Sequence, residues 1–290
     1  MCFDINSDIE KYFDSLPEDT EEIDVSEKGI RHIPHSILRF TNLKDLICSG
    51  NFLTDLPPLP ESLETLFCSE NKLTSLPELG ENLKYIFCTK NQLSSLPPFP
   101  KKLHKISCSD NKLTCLPELN ENLKYLYCSH NELTALPLLN EKLKALFCSS
   151  NKLTTLPQMN PNLEFLYCSH NELTALPPLN EHLEFLNCQH NHLTSLPYLN
   201  EKIKDISYYN NPIHEIINDN LSILEIKIKV KIVNNFRFLY YSLKFKKRLR
   251  DLLWIKIREP LIRERYHPRY LLENLHGEDI DLDTVLENWI

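Results

Sequence analysis

Asn51 is followed by an asparagine every twenty residues up to Asn211. Cys48 starts a cysteine ladder with the same spacing that ends at Cys188, and Leu56-Pro57 starts a Leu-Pro ladder that ends at Leu196-Pro197. Three ladders in one register define a unit, Leu63-x-x-Leu66-x-Cys68-x-x-Asn71-x-Leu73-x-x-Leu76-Pro77. A period this short holds one supersecondary element. It cannot bury an apolar face alone, so the units must stack into a solenoid. Leu66 and Cys68 alternate with Thr65 and Phe67, a period of two, which predicts one short strand per unit with one buried face. Stacked units then give a parallel sheet. The Leu76-Pro77 segment is too short and too rich in proline for a helix and is expected to run extended on the opposite side.

Each coil must also satisfy its own backbone. A buried Asn71-type side chain donates and accepts, and is expected to bond neighbouring turns. The chain holds only 4 glycines among 290 residues, so something else must serve its tight turns. Asn120, Asn140, Asn160, Asn180 and Asn200 are candidates for left-handed positions.

The pattern resembles the leucine-rich repeat in its short bacterial form, known from secreted effectors of enteric pathogens of the YopM-like and invasion-plasmid-antigen type. The resemblance covers residues 21–213. A longer first unit precedes the strict array, with Ile23, Val25, Ile30, Ile33, Ile37 and Phe40 on the ladder and Lys28 in place of asparagine. The resemblance implies an α/β repeat fold of about ten units: a leucine-rich-repeat solenoid with a concave parallel sheet, an extended convex side, and helical N- and C-terminal caps.

The ladder cysteines stand where the repeat usually carries a third inward leucine. Small buried apolar residues are the expectation. Side chains on parallel strands do not converge as a disulfide requires, and one thiol per strand does not build a tetrahedral metal cage. A file of free thiols suits a reducing compartment. Cys2 and Cys115 fall outside the ladder.

The residues between the inward positions face away from the core. Nine are aromatic: Phe67, Tyr85, Phe87, Tyr125, Tyr127, Phe147, Phe165, Tyr167 and Phe185. Cross-strand stacking offers a purely architectural reason for them. A contiguous apolar strip is also the mark of an interaction surface, and Tyr and Phe suit interface centres. The reading adopted is a partner-binding strip, with His130, His170 and His190 on its polar margin. His192 lies close to the last two, which raises metal ligation as an alternative. No carboxylate is registered beside them, so a solvated rim is expected, with no metal and no cofactor.

Net charge is −8. Residues 1–222 hold 18 basic and 30 acidic groups, and residues 223–290 hold 14 and 10. An acidic solenoid disfavours nucleic acid as its ligand. The start of the chain has no basic flank and no apolar run, so no secretory signal is expected. No stretch approaches the roughly 18 apolar residues of a membrane helix. The expectation is a soluble, intracellular, cytoplasmic protein, in which the sequon Asn220-Leu221-Ser222 stays silent.

Solenoid ends need covering. Residues 1–20 are expected to form a helical cap, begun by a Ser7-Asp8-Ile9-Glu10 capping box, with Ile9, Tyr12 and Phe13 on one face and Pro17 as the stop. Residues 214–290 form a basic, mainly helical region. Ser222-Ile223-Leu224-Glu225 suits a helix start, whereas Ile226, Ile228, Val230 and Ile232 alternate as in a strand; helix is the reading favoured. A long amphipathic helix is expected from Asn235 to about Arg258, with Leu239, Leu243, Leu249, Leu253 and Ile257 on one face and Lys244, Lys246, Lys247, Arg248 and Arg250 on the other. Pro260 should break it. A short helix after Tyr266-His267-Pro268 and a last one capped by Asp281 and Asp283 would follow. This tail, through Lys256-Ile257-Arg258-Glu259-Pro260, Tyr266-His267-Pro268 and its acidic stretch ending at Trp289, resembles C-terminal segments of giant-virus proteins, which implies a viral origin.

The expected function is a non-enzymatic scaffold that binds a host or viral protein partner, with no small-molecule substrate. The alternative is an adaptor whose basic helix docks on membrane or nucleic acid. Some similar bacterial effectors carry a ubiquitin ligase with a cysteine nucleophile in a separate large domain. No cysteine follows Cys188 here, so that activity does not carry over. No phosphate-binding glycine loop or nucleophile elbow is present either.

Overall fold

The computed structural model describes residues 5–217, 221–253 and 260. Helix α1 (Ile5–Ser15) leads into ten three-residue strands. These are β1 (Glu22–Asp24), β2 (Asp45–Ile47), β3 (Thr65–Phe67), β4 (Tyr85–Phe87), β5 (Lys105–Ser107), β6 (Tyr125–Tyr127), β7 (Ala145–Phe147), β8 (Phe165–Tyr167), β9 (Phe185–Asn187) and β10 (Asp205–Ser207). They form one parallel sheet in chain order. Helix α2 (Ile223–Leu253) follows a short 3-10 turn at Pro212–Glu215. The chain divides into two compact units, Met1–Ile232 and Val233–Ile290.

Strand register follows the repeat. Leu66 lies opposite Leu46 on one side and Ile86 on the other, and Phe67 opposite Ile47 and Phe87. Every coil sends the same residues inward: Leu63, Leu66, Cys68 and Leu73 are fully buried, as are Leu123, Leu126, Cys128 and Leu133 sixty residues later. Coil-to-coil bonding continues past the strands, through Cys68 N–H to the Phe87 carbonyl at 2.8 Å and Lys72 N–H to the Leu53 carbonyl at 2.8 Å. In the strict array the Leu-Pro side has no helix or strand, as its prolines require; the longer first unit carries a 3-10 turn at His35–Arg39 after Pro34.

The asparagine ladder is the polar skeleton. Asn131 Nδ2 donates to the carbonyls of Cys108 (3.0 Å) and Cys128 (3.1 Å), and its Oδ1 accepts from Leu113 N–H (3.0 Å). The same three partners recur for each ladder member from Asn71 to Asn191. One part of the sequence reading is corrected. The left-handed positions are not Asn120, Asn140, Asn160, Asn180 and Asn200. They are the residues just before the buried asparagines: Glu70, Lys90, Asp110, His130, Ser150, His170, His190 and Asn210, all with φ of 52–56°. Gly50 is the glycine of that column, and its φ is 67°. The inter-coil bonds made around each such turn hold it without glycine; Glu70 N–H, for one, donates to the Thr89 carbonyl at 2.8 Å. Asn120 to Asn200 form a second ladder instead. Asn140 Nδ2 donates to the carbonyls of Asn120 and Leu123, and its Oδ1 accepts from Lys142 N–H.

At the front, α1 begins at Ile5, so Ser7 falls inside the helix rather than at its cap. Ile9 and Phe13 are buried, but Tyr12 is exposed and does not share their face. Phe13 meets Phe40 edge-on at 6.1 Å. Arg39 donates to the carbonyls of Phe13 and Leu16, closing the C-terminal end of the helix.

At the rear, helix wins over strand at 223–232. Glu225 accepts from Ser222 N–H at 2.8 Å and Ser222 Oγ from Glu225 N–H, a capping box. That bonding holds the Glu225 carboxyl below the usual range. The alternation that mimicked a strand splits at helical spacing: Ile226 and Val230 are buried, Ile228 and Ile232 exposed. A single helix runs on to Leu253 where two were expected. The side chains of Leu243, Lys247, Leu249, Arg250 and Leu253, the segment at Ile257, and the helices expected after Tyr266 and Asp281 lie outside the described residues.

Candidate partner-binding face

Two columns of side chains rise from the outer face of the sheet. Parallel strands lie about 4.8 Å apart, and aromatic residues at one register position must therefore meet. Phe67 and Phe87 stack at 4.7 Å with planes 4° apart. Tyr127, Phe147 and Tyr167 form a triple stack at 4.7 and 4.5 Å. In the neighbouring column Phe165 and Phe185 stack at 5.1 Å. Tyr85 and Tyr125 are exposed, and none of the nine rings is buried. Stacking accounts for seven rings. It uses their faces and leaves their edges outward, so what reaches solvent is a ridged apolar strip with tyrosine hydroxyls along it. Burial, with Tyr125 adding to it, pushes the Tyr127 hydroxyl above its ordinary range and keeps it a neutral donor.

The file of rings is interrupted at β5, where Ser107 replaces an aromatic residue. The gap is occupied from the adjacent column. Lys105 Nζ stands 5.0 Å from the Phe87 centroid and 5.1 Å from that of Tyr127, an ammonium between two π systems. Sequence reasoning missed this group. Its signal was a lone lysine flanked in its own column by Tyr85 and Tyr125, beside a small residue in the next.

The histidines are held by backbone as much as by chemistry. His130, His170 and His190 all occupy left-handed turns, a region in which histidine is enriched among non-glycine residues. His170 and His190 stack at 4.0 Å, and Asn210 Nδ2 lies 3.0 Å from His190 Nε2. Desolvation, then the neighbouring His190 and His130, hold the His170 pKa below its usual value. His130 stands apart, with Ser150 between. Among the described residues no group of three or more His, Cys, Asp or Glu is placed to hold a metal ion.

The eight ladder cysteines are buried free thiols, and Cys115 is free and exposed. Burial pushes Cys48, Cys108 and Cys168 up to about 12 and the other five well above the thiol range. They are inert filling. No helix of the described residues is long and apolar enough to cross a membrane.

This coil, sheet and asparagine skeleton is the leucine-rich-repeat fold, and a leucine-rich-repeat family model covering two copies of the repeat matches residues 161–201. The solenoid resembles bacterial effector domains. YopM from Yersinia enterocolitica is 31% identical with a TM-score of 0.62, over 68% of this chain and 48% of that one. YopM from Yersinia pestis is 30% identical with a TM-score of 0.60, over 71% and 64%. The chain thus spans about half to two thirds of those proteins. The leucine-rich repeats of FLRT2, solved in an octameric complex with Latrophilin 3 and Unc5D, match at 18% identity, TM-score 0.51, over 68% of this chain and 77% of that one, which shows the fold alone. A comparison with curated proteins gives no match. The viral likeness of the tail has no counterpart among these structures.

Proposed function

We propose that the chain is a non-enzymatic scaffold that binds an extended segment of a protein partner along the ring-bearing face of its sheet. The observation that carries this is the exposure of the ring file. Nine aromatic residues stand on one face, none buried, and the solenoid needs none of them to close its core. The leucine-rich-repeat fold is typical of interaction scaffolds, and an apolar strip of this kind marks such a surface.

The test is the triple variant Phe87→Ala, Tyr127→Ala, Tyr167→Ala, compared with wild type in capture of partners from lysate. Capture is expected to be lost. Thermal unfolding is expected to change little, because each cross-strand pair contributes only about 0.2–1 kcal/mol. Collapse of the fold would assign the rings to architecture. Unchanged capture by a folded variant would end the proposal.

A further inference from the structure

We propose that the centre of this face receives a carboxylate side chain of the partner segment, held by Lys105 and Lys124. The inference rests on the docking strip described above and adds the chemistry of its occupant. On β4 to β7, the strands and the residues just before them carry Lys84, His104, Lys105, Lys124 and Lys144 and no carboxylate. The outer two lysines are neutralised from neighbouring coils, Lys84 by Glu64 at 2.6 Å and Lys144 by Glu164 at 2.9 Å. Lys105 and Lys124 pair with no carboxylate among the described residues. Both are half-buried. A chain of net charge −8 thus sets one ammonium without a carboxylate partner, Lys105, among its rings and carries a second, Lys124, just before β6.

The geometry favours an acidic peptide over other anions. Lys105 is already held between the Phe87 and Tyr127 rings, so little side-chain freedom remains to be lost on binding. The stacked rings turn their edges outward, and ring edges carry the positive end of the quadrupole, which suits a carboxylate oxygen. Bases would need open ring faces to stack upon, and seven of the nine rings spend faces on one another. A polyanion would also meet the acidic surface of the rest of the solenoid. One or two carboxylates flanked by apolar side chains match both the charge and the strip.

The experiment is selection of random displayed peptides on the full chain, run in parallel on Lys105→Met with Lys124→Met and on the triple ring variant. Methionine keeps the stem between the rings, and a thermal melt checks the fold. The expected wild-type pool is enriched in apolar residues around Asp or Glu. The double lysine variant should retain the apolar enrichment and lose the acidic one, and a synthesised wild-type winner should bind it about tenfold or more weakly, the loss of a charged contact. Apolar peptides without acidic enrichment, or acidic enrichment indifferent to the two lysines, would overturn the inference and leave the strip standing. A pool indifferent to the ring variant, or no enrichment at all, would remove the strip and the inference with it. Lys105-dependent binding of a single-stranded oligonucleotide or of phosphatidylserine vesicles, in place of peptide, would also count against it.

Discussion

Raising the pH above about 9 is expected to unfold the protein abruptly. Eight ladder thiols are buried in the core, and burial lifts their pKa, to about 12 for Cys48, Cys108 and Cys168, from an ordinary value of 9.0. Below pH 9 these thiols are neutral in both folded and unfolded chains, so they leave stability unchanged. Above it the unfolded chain releases protons that the folded chain keeps. The unfolded state is then favoured, and stability falls as pH rises from 9 toward 12. Each such thiol contributes about 1.4 kcal/mol per pH unit, so eight together approach about 11 kcal/mol per unit. A domain stable by about 5–15 kcal/mol cannot survive far into that window. Circular dichroism against pH, with reductant present, reads the transition. Replacing Cys108, Cys128, Cys148 and Cys168 by alanine should halve the dependence of stability on pH, whatever the substitutions cost at neutral pH. The tyrosines are common to wild type and variant and cancel in the comparison. A gradual transition, or an equal slope in the variant, would show that the thiols ionise in the folded state.

The second large effect falls on the buried asparagines. Asn131→Ala removes one side chain, leaves Leu113 N–H without its partner, and takes one of two amide donors from the Cys108 and Cys128 carbonyls, which keep Asn111 and Asn151. The orphaned buried donor costs about 1–3 kcal/mol and each of the two lost carbonyl bonds about 0.5–1.5 kcal/mol, so a loss of about 2–5 kcal/mol is expected in urea unfolding. Asn140→Ala is the control. Its bonds to the Asn120 and Leu123 carbonyls are similar in length, 2.7 and 3.0 Å, but the site is half-buried and water can replace the amide. About 1 kcal/mol is expected there. Equal losses at the two positions would mean that burial does not separate the ladders.

The repeat was legible because each ladder has its own cause. Inward leucines report the core, Asn71-type residues the bonding of turns, and Leu-Pro the side without a helix. Ten strands follow from their count. The left-handed column was not legible: Glu70, Lys90 and Ser150 share no chemistry, and only the backbone shows that they share a conformation. Helix is favoured at residues 222–233 although they satisfy two periods at once, and burial of Ile226 and Val230 decides for it; what was missed was its continuity through Asn234-Asn235 into the next segment. Of the candidate face, the rings could be listed from the sequence. The bridging role of Lys105 could not, since it depends on two columns meeting across β5.

The way the coils bond has an evolutionary side. Each strand pairs only with the strands before and after it, so the chain is graduated like a ruler, one mark per twenty residues. Excising residues 91–110 would remove Lys105 and Ser107 and bring Phe87 against Tyr127 without disturbing any other register. A single in-frame loss or duplication can therefore rewrite what the face displays and how far it reaches. Length and recognition are inherited together.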